Sequence, residues 1–173
     1  MFKIRPSWDR TFMTMAEIAA ERTSCLNHKT GCIIVDMRKR IVSVGYNGPV
    51  SGDVNCSEVG CAKIHGDPET KQLKRCRGAH GEVNAVVNCI QPSNIRGATL
   101  YITTFPCFDC MKTLINAGIK EIVYKEIYRR VVEEGKTEFE NEAWELALRM
   151  GVKLYLYDSS ADKRIEITKV PEN

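Results

Sequence analysis

Ala98-Thr99-Leu100-Tyr101-Ile102-Thr103, then Thr104-Phe105-Pro106, then Cys107-Phe108-Asp109-Cys110-Met111-Lys112-Thr113-Leu114-Ile115-Asn116-Ala117-Gly118, then Ile119-Lys120-Glu121-Ile122-Val123-Tyr124 is the stretch that decides the fold. Its first part is rich in β-branched and aromatic residues and predicts a strand over 98–103. Its middle has helical spacing, starts beside a proline and ends at a glycine, which predicts a helix over 107–117. Its last part returns to a β-rich run over 120–124. Strand, helix and strand in succession describe a βα-type unit, so the chain belongs to the α/β class.

Working outward, Gly31-Cys32-Ile33-Ile34-Val35 and Ile41-Val42-Ser43-Val44-Gly45 flank a charged turn and predict a hairpin. Phe12, Met15, Ala16, Ala19 and Ala20 recur at helical spacing behind Ser7 and Asp9, which predicts a helix over 8–23. Helices are also expected over 80–90 and 138–150, and a last alternating strand over 152–157. The sum is a three-layer α/β/α arrangement around a mixed sheet of about five strands. Between 47 and 78 periodicity disappears and Gly, Pro, Cys and charge dominate. Residues 1–173 are therefore expected to form one domain with an insertion at about 47–78, and the polar residues 159–173 to be peripheral.

The chain has 173 residues, 43% hydrophobic and 27% charged, and its apolar runs are far too short to span a membrane. Its first residues lack a secretory pattern, so a cytoplasmic protein is expected. A net charge of +3 argues against a protein living on a nucleic-acid backbone. Eight cysteines in such a chain point to metal rather than disulfides.

The chemistry concentrates in His80-Gly81-Glu82 and Pro106-Cys107-Phe108-Asp109-Cys110. Cys107 and Cys110 are three apart, so one helix turn presents both sulfurs on one face near its positive end, where thiolates are favoured. His80 adds a neutral nitrogen. Three such ligands suit Zn2+ and leave the fourth tetrahedral position open, as catalysis requires. Glu82, two residues from a ligand, is placed to carry protons. The alternative is a closed structural site in which another cysteine joins His80, Cys107 and Cys110. His-x-Glu followed by Pro-Cys-x-x-Cys is the signature of zinc nucleobase deaminases.

These halves, with Arg5-Pro6-Ser7-Trp8-Asp9, Ala20-Glu21-Arg22-Thr23-Ser24-Cys25, Gly45-Tyr46-Asn47-Gly48, Cys76-Arg77-Gly78, Glu82-Val83-Asn84-Ala85 and Ala117-Gly118-Ile119-Lys120, resemble the deoxycytidylate (dCMP) deaminase family of the cytidine deaminase superfamily. The resemblance implies a cytidine deaminase-like fold and hydrolysis of dCMP to dUMP and ammonia, supplying dUMP for dTMP synthesis. It implies that Glu82 moves protons to N3 and to the leaving amino group, that Asn47 contacts the sugar, and that the Gly81 N–H and a carbonyl near Phe105 hold the base edge. Gly81 stands where family members commonly carry Ala. A homo-hexamer activated by dCTP and inhibited by dTTP is also implied, with Mg2+ accompanying the effector and Gly45, Tyr46, Asn47 and Gly48 partly forming a regulatory pocket. The alternatives are a deaminase of another cytosine nucleotide, a deaminase of tRNA or single-stranded nucleic acid, and a non-catalytic zinc-stabilised protein.

Six cysteines remain. Cys32 falls in a predicted strand and Cys89 in a predicted helix, where buried, inert thiols are expected. Cys25, Cys56, Cys61 and Cys76 could hold a second, closed Zn2+, with His28 and His65 as alternative ligands; isolated reduced thiols are the other reading. Lys71, Lys74, Arg75 and Arg77 crowd before His80. The ordinary reading is a solvated charged loop, but their position makes Arg75 and Arg77 candidates for the substrate 5′-phosphate.

Overall fold

The computed structural model describes residues 5–127, 130–133, 136–138 and 141–170. Helix α1 (Trp8–Ala20) is followed by strands β1 (Gly31–Val35), β2 (Ile41–Tyr46) and β3 (Gly48–Pro49), the short helix α2 (Cys56–Val59), β4 (Gly78–Ala79) and α3 (Gly81–Val87). Then come β5 (Thr99–Thr104), α4 (Phe108–Ala117), β6 (Glu121–Glu126), the small pair β7 (Arg130–Glu133) and β8 (Lys136–Glu138), α5 (Asn141–Arg149), β9 (Lys153–Asp158) and β10 (Lys163–Ile167).

The main sheet runs β10-β9-β6-β5-β1-β2. β5, β6 and β9 are mutually parallel, joined by α4 and α5, while β1, β2 and β10 pair antiparallel with their neighbours. The sheet thus has six strands where about five were expected. The sixth is β10, drawn from the tail read as peripheral. Its alternation Lys163-Arg164-Ile165-Glu166-Ile167 is polar because an edge strand keeps one row in water. The helix expected over 138–150 begins at Asn141; residues 139 and 140 lie outside the described residues, as do 1–4 and 171–173.

Both faces of the sheet are covered, which is why β1 is buried along its whole length and reads as an unbroken apolar run. Ile33, Val35, Tyr101 and Val123 face α1 and pack on Phe12, Met13 and Ala16. Their alternating neighbours Cys32, Ile34, Leu100, Ile102, Ile122 and Tyr124 face α3, α4 and α5. Each such side chain contributes about 1.5–3 kcal/mol when fully buried. The predicted first helix ends at Ala20 rather than 23, and α3 stops at Val87 with Asn88 as its cap, so Cys89 lies past the helix. Cys89 is nonetheless buried, as is Cys32.

β10 is fastened by charge. Arg164 Nη2 lies 2.5 Å from Asp9 Oδ1 and Nη1 3.1 Å from Glu121 Oε2, while the Tyr101 hydroxyl donates to Asp9 at 2.6 Å. Burial pushes the Asp9 carboxyl up, but the hydrogen bonds from Arg164 and Tyr101 outweigh it and leave it below its ordinary value. A depressed carboxylate contributes stability that is present above the unfolded value of 3.8 and is lost as pH falls through the folded one. The thermal unfolding midpoint of wild type should therefore exceed that of Asp9→Asn from neutral pH down to about 4, and the gap should close below that as Asp9 protonates. A gap independent of pH would show that the charge contributes nothing.

Candidate metal centre

Two helix starts meet at the C-terminal end of β5. His80 is the N-cap of α3 and Cys107 the N-cap of α4, both with extended backbone, and Cys110 sits in the first turn of α4. His80 Nδ1 lies 3.5 Å from Cys107 Sγ and 3.3 Å from Cys110 Sγ. Tetrahedral zinc with Zn–S of about 2.3 Å and Zn–N of about 2.0 Å separates S from N by about 3.5 Å. The three donors therefore fit a zinc ion in spacing and in kind. Among the described residues this is the one group of three or more such side chains whose ligand atoms all lie within 4.8 Å of one another.

The electrostatics point the same way. The Cys110 thiol and His80 pull Cys107 well below the ordinary thiol range, while its hydrogen bond with Cys107, burial and the nearby Glu82 push Cys110 up. The hydrogen bond with Cys107 in turn raises His80. Two thiols sharing one negative charge form a site that a dication would complete by ionising both. Glu82 is 4% exposed and hydrogen-bonded to Cys110, and burial pushes its carboxyl up to about 7. A carboxyl held so close to neutrality can both give and take a proton near pH 7.

The wall of the site is built around Gly45 and Asn47. Gly45 has no Cβ, so α3 lies directly on β2; an added Cβ would fall 2.1 Å from the Gly81 carbonyl oxygen. A Cβ on Gly81 itself would sit 3.3 Å from the Thr30 oxygen and Tyr46 Cα and 3.4 Å from the Asn47 nitrogen, so Ala here would press on β2 without a gross clash. Asn47 Oδ1 accepts from Thr23 Oγ1 at 2.8 Å and from the Thr30 N–H at 2.8 Å, and its amide donates to the His28 carbonyl at 2.7 Å. Three of the four hydrogen bonds available to this amide thus tie the 23–30 loop to the end of β2. Asn84 Nδ2 adds a bond to the Tyr46 carbonyl at 2.8 Å. Thr23 and Asn84 fall inside stretches that carry the resemblance, whereas Thr30 falls in none; the hydrogen bonds all three make arise from contacts between distant segments.

Phe105 is buried at the end of β5, its N–H donating to the Glu126 carbonyl at 2.8 Å. Arg77 donates to the Gly60 carbonyl at 3.0 Å and hydrogen-bonds Cys56, which places it inside the insertion as a fastener. Lys74 pairs with Asp67 at 2.6 Å, and Arg75 is exposed. Cys25, Cys61 and Cys76 all lie in the electrostatic neighbourhood of Cys56, though not within the tight spacing of the first three ligands. His65 Nδ1 accepts from the Cys61 N–H at 2.9 Å.

Residues 6–126 match the family described as the cytidine and deoxycytidylate deaminase zinc-binding region. The chain is 37% identical over 126 residues to a deoxycytidylate deaminase of Saccharomyces cerevisiae, covering 73% of this chain and 40% of that one. It is 36% identical over 124 residues to the deoxycytidylate deaminase of Mycobacterium phage D29, covering 69% of this chain and 95% of that one. It therefore spans well under half the length of the yeast relative. Among solved structures, the dCMP deaminase of cyanophage S-TIM5 in complex with dCMP and dUMP superposes with a TM-score of 0.65 at 26% identity, over 88% of this chain and 98% of that one. The matched span runs through both helix starts that bring His80, Cys107 and Cys110 together, and the chain belongs to the cytidine and deoxycytidylate deaminase family.

Proposed function

We propose that this protein hydrolyses dCMP, water replacing the exocyclic amino group at C4 to give dUMP and ammonia. The observation that carries the proposal is Glu82, a buried carboxyl hydrogen-bonded to Cys110 and poised near pH 7, beside three donors spaced for zinc. Zinc held by His80, Cys107 and Cys110 supplies Lewis acidity and a lowered pKa for water. Glu82 carries a proton to N3 of the base and a second to the departing nitrogen. The Gly81 N–H and the Phe105 carbonyl orient the base edge, and the remaining N–H of Asn47 reaches the sugar. Relatives named deoxycytidylate deaminase, and a similar fold captured with dCMP and dUMP, support a nucleotide substrate.

With Arg77 engaged by Gly60 and Cys56, Arg75 carries the 5′-phosphate contact. Arg75→Ala should lower kcat/KM for dCMP about tenfold or more and leave deoxycytidine unaffected; Arg77→Ala should instead lower stability. Equal losses on both substrates for Arg75→Ala would remove the phosphate role. Cys25, Cys56, Cys61 and Cys76 hold a second, structural zinc in this reading, supported by their gathering around Cys56, and metal analysis should then return about two zinc per chain. The family resemblance alone supports a cytoplasmic homo-hexamer supplying dUMP for dTMP synthesis, with dCTP, Mg2+ and dTTP acting near Gly45, Tyr46, Asn47 and Gly48. Among the described residues no helix is long and apolar enough to cross a membrane.

The deciding experiment incubates zinc-loaded protein separately with dCMP, CMP, deoxycytidine, single-stranded DNA and tRNA. Equal amounts of dUMP and ammonia from dCMP, at the highest kcat/KM of the panel, are expected. Turnover confined to CMP or to nucleic acid would overturn the assignment of substrate, and no turnover at all would overturn the enzyme.

A further inference from the structure

Helix α5 buries Ala143, Trp144 and Ala147, with Leu146 and Leu148 packed at the edge of the same core, so Trp144 is its largest fully buried side chain. Trp144 is fully buried and lies flat on Phe105, with ring centroids 3.9 Å apart and an interplanar angle of 12°. Tyr124 meets both rings edge-on, at 5.3 Å from Trp144 and 5.1 Å from Phe105. Such pairs stabilise beyond the burial of their area. Yet, among the described residues, the Trp144 Nε1 has no hydrogen-bond partner, and neither has Asn141 Oδ1 one turn earlier on the same helix. A buried orphan donor is costly, so for packing alone an apolar side chain of similar size would serve better. What the indole does make is the flat contact with Phe105.

Phe105 is two residues from the ligand Cys107, with Pro106 between them. The proline ring fixes its own φ, so the orientation of Phe105 passes stiffly to Cys107. The Phe105 backbone is held by β6 through Glu126 and its ring by Trp144, leaving the β5–α4 turn little freedom. Trp144 lies beyond residues 6–126, the span that matches the family.

We infer that Trp144 is a positioning residue, acting through Phe105 to set the β5–α4 turn that carries Cys107 and the base-edge contact, and thereby making α5 part of the active centre. The inference rests on the dCMP reading above only for its kinetic readout. The test compares wild type, Trp144→Phe, which keeps the stack and removes the orphan N–H, and Trp144→Leu, which keeps bulk and removes the stack. Each is measured well below its unfolding midpoint for zinc content, for kcat and KM on dCMP, and, after Co2+ substitution, for the cobalt–thiolate absorption band.

Trp144→Leu should retain its metal, lose about ten- to a hundredfold in kcat, and shift the cobalt–thiolate band, as expected for a misplacement of up to about 1 Å. Trp144→Phe should restore the wild-type band and stay within about threefold in kcat. Should Trp144→Leu not fold, Trp144→Met carries the same readouts. A Leu or Met variant with lowered stability but wild-type kcat and band would reduce Trp144 to packing and overturn the inference. If wild type itself does not turn over dCMP, the substrate reading fails, while the cobalt band of the variants still decides the role of Trp144.

Discussion

Glu82→Gln should abolish turnover of dCMP, with kcat lowered about a thousandfold or more, while zinc content stays unchanged and the unfolding midpoint does not fall. The loss follows from chemistry: a single general acid–base is worth about 10²–10⁴-fold, and Glu82 is asked to move protons in two successive steps. Unchanged stability follows from burial. Glu82 is 4% exposed, and its carboxyl is displaced to about 7 because the site resists its charge. Gln has the same shape, keeps a carbonyl oxygen and carries no charge to desolvate, so replacement removes a cost rather than a support. It stands outside the group of three donors, His80, Cys107 and Cys110, whose ligand atoms all lie within 4.8 Å of one another. Turnover within tenfold of wild type would eliminate Glu82 as proton carrier; loss of zinc would show that it belongs to the metal shell.

The second large effect is expected at Gly45→Ala, which should lower the unfolding midpoint by several degrees and reduce zinc affinity and kcat together. The new methyl would lie 2.1 Å from the Gly81 oxygen, 2.5 Å from the Ala85 nitrogen and 2.8 Å from Ala85 Cβ. Restoring ordinary contact requires α3 to move by more than about 1 Å. Overpacking of this kind costs about 1–3 kcal/mol or more. His80 caps that helix and Glu82 lies in its first turn, so both move with it, whereas metal ligation tolerates only about 0.2 Å. Gly81→Ala is the control. Its methyl would meet neighbours at 3.3 Å, and a shift of a few tenths of an ångström should leave zinc binding intact. Normal metal affinity in Gly45→Ala would mean that β2 rather than α3 yields.

The resemblance read in residues 45–48 assigns Gly45 to a regulatory pocket, and the structure supplies a prior reason for a glycine there: contact between a helix backbone and a strand backbone. That reason is invisible in a sequence, because the clashing atoms belong to residues 36 and 40 positions away. The tail 159–173 escaped for a similar reason. Its polar residues look like surface, but backbone pairing with β9, the packing of Ile167 and the Arg164 pairing with Asp9 and Glu121 make residues 163–167 a sixth strand. Arg75 and Arg77 are indistinguishable as a basic run, yet one is exposed and the other is engaged by Gly60 and Cys56.

By itself the sequence determined the α/β class and the identity of the chemical groups, because both depend on local rules. Period-2 and helical patterns set strands and helices, and the spacing of Cys107 and Cys110 sets two sulfurs on one helix turn. Only the tertiary structure decided what those groups become together. His80 reaches the two cysteines because a bare glycine lets α3 lie on β2, Asn47 is occupied by the loop it ties down, and Trp144 stacks behind the turn that bears Cys107. Those outcomes depend on contacts between segments far apart in the chain, where excluded volume and the saturation of hydrogen bonds select one arrangement and local pattern carries no signal.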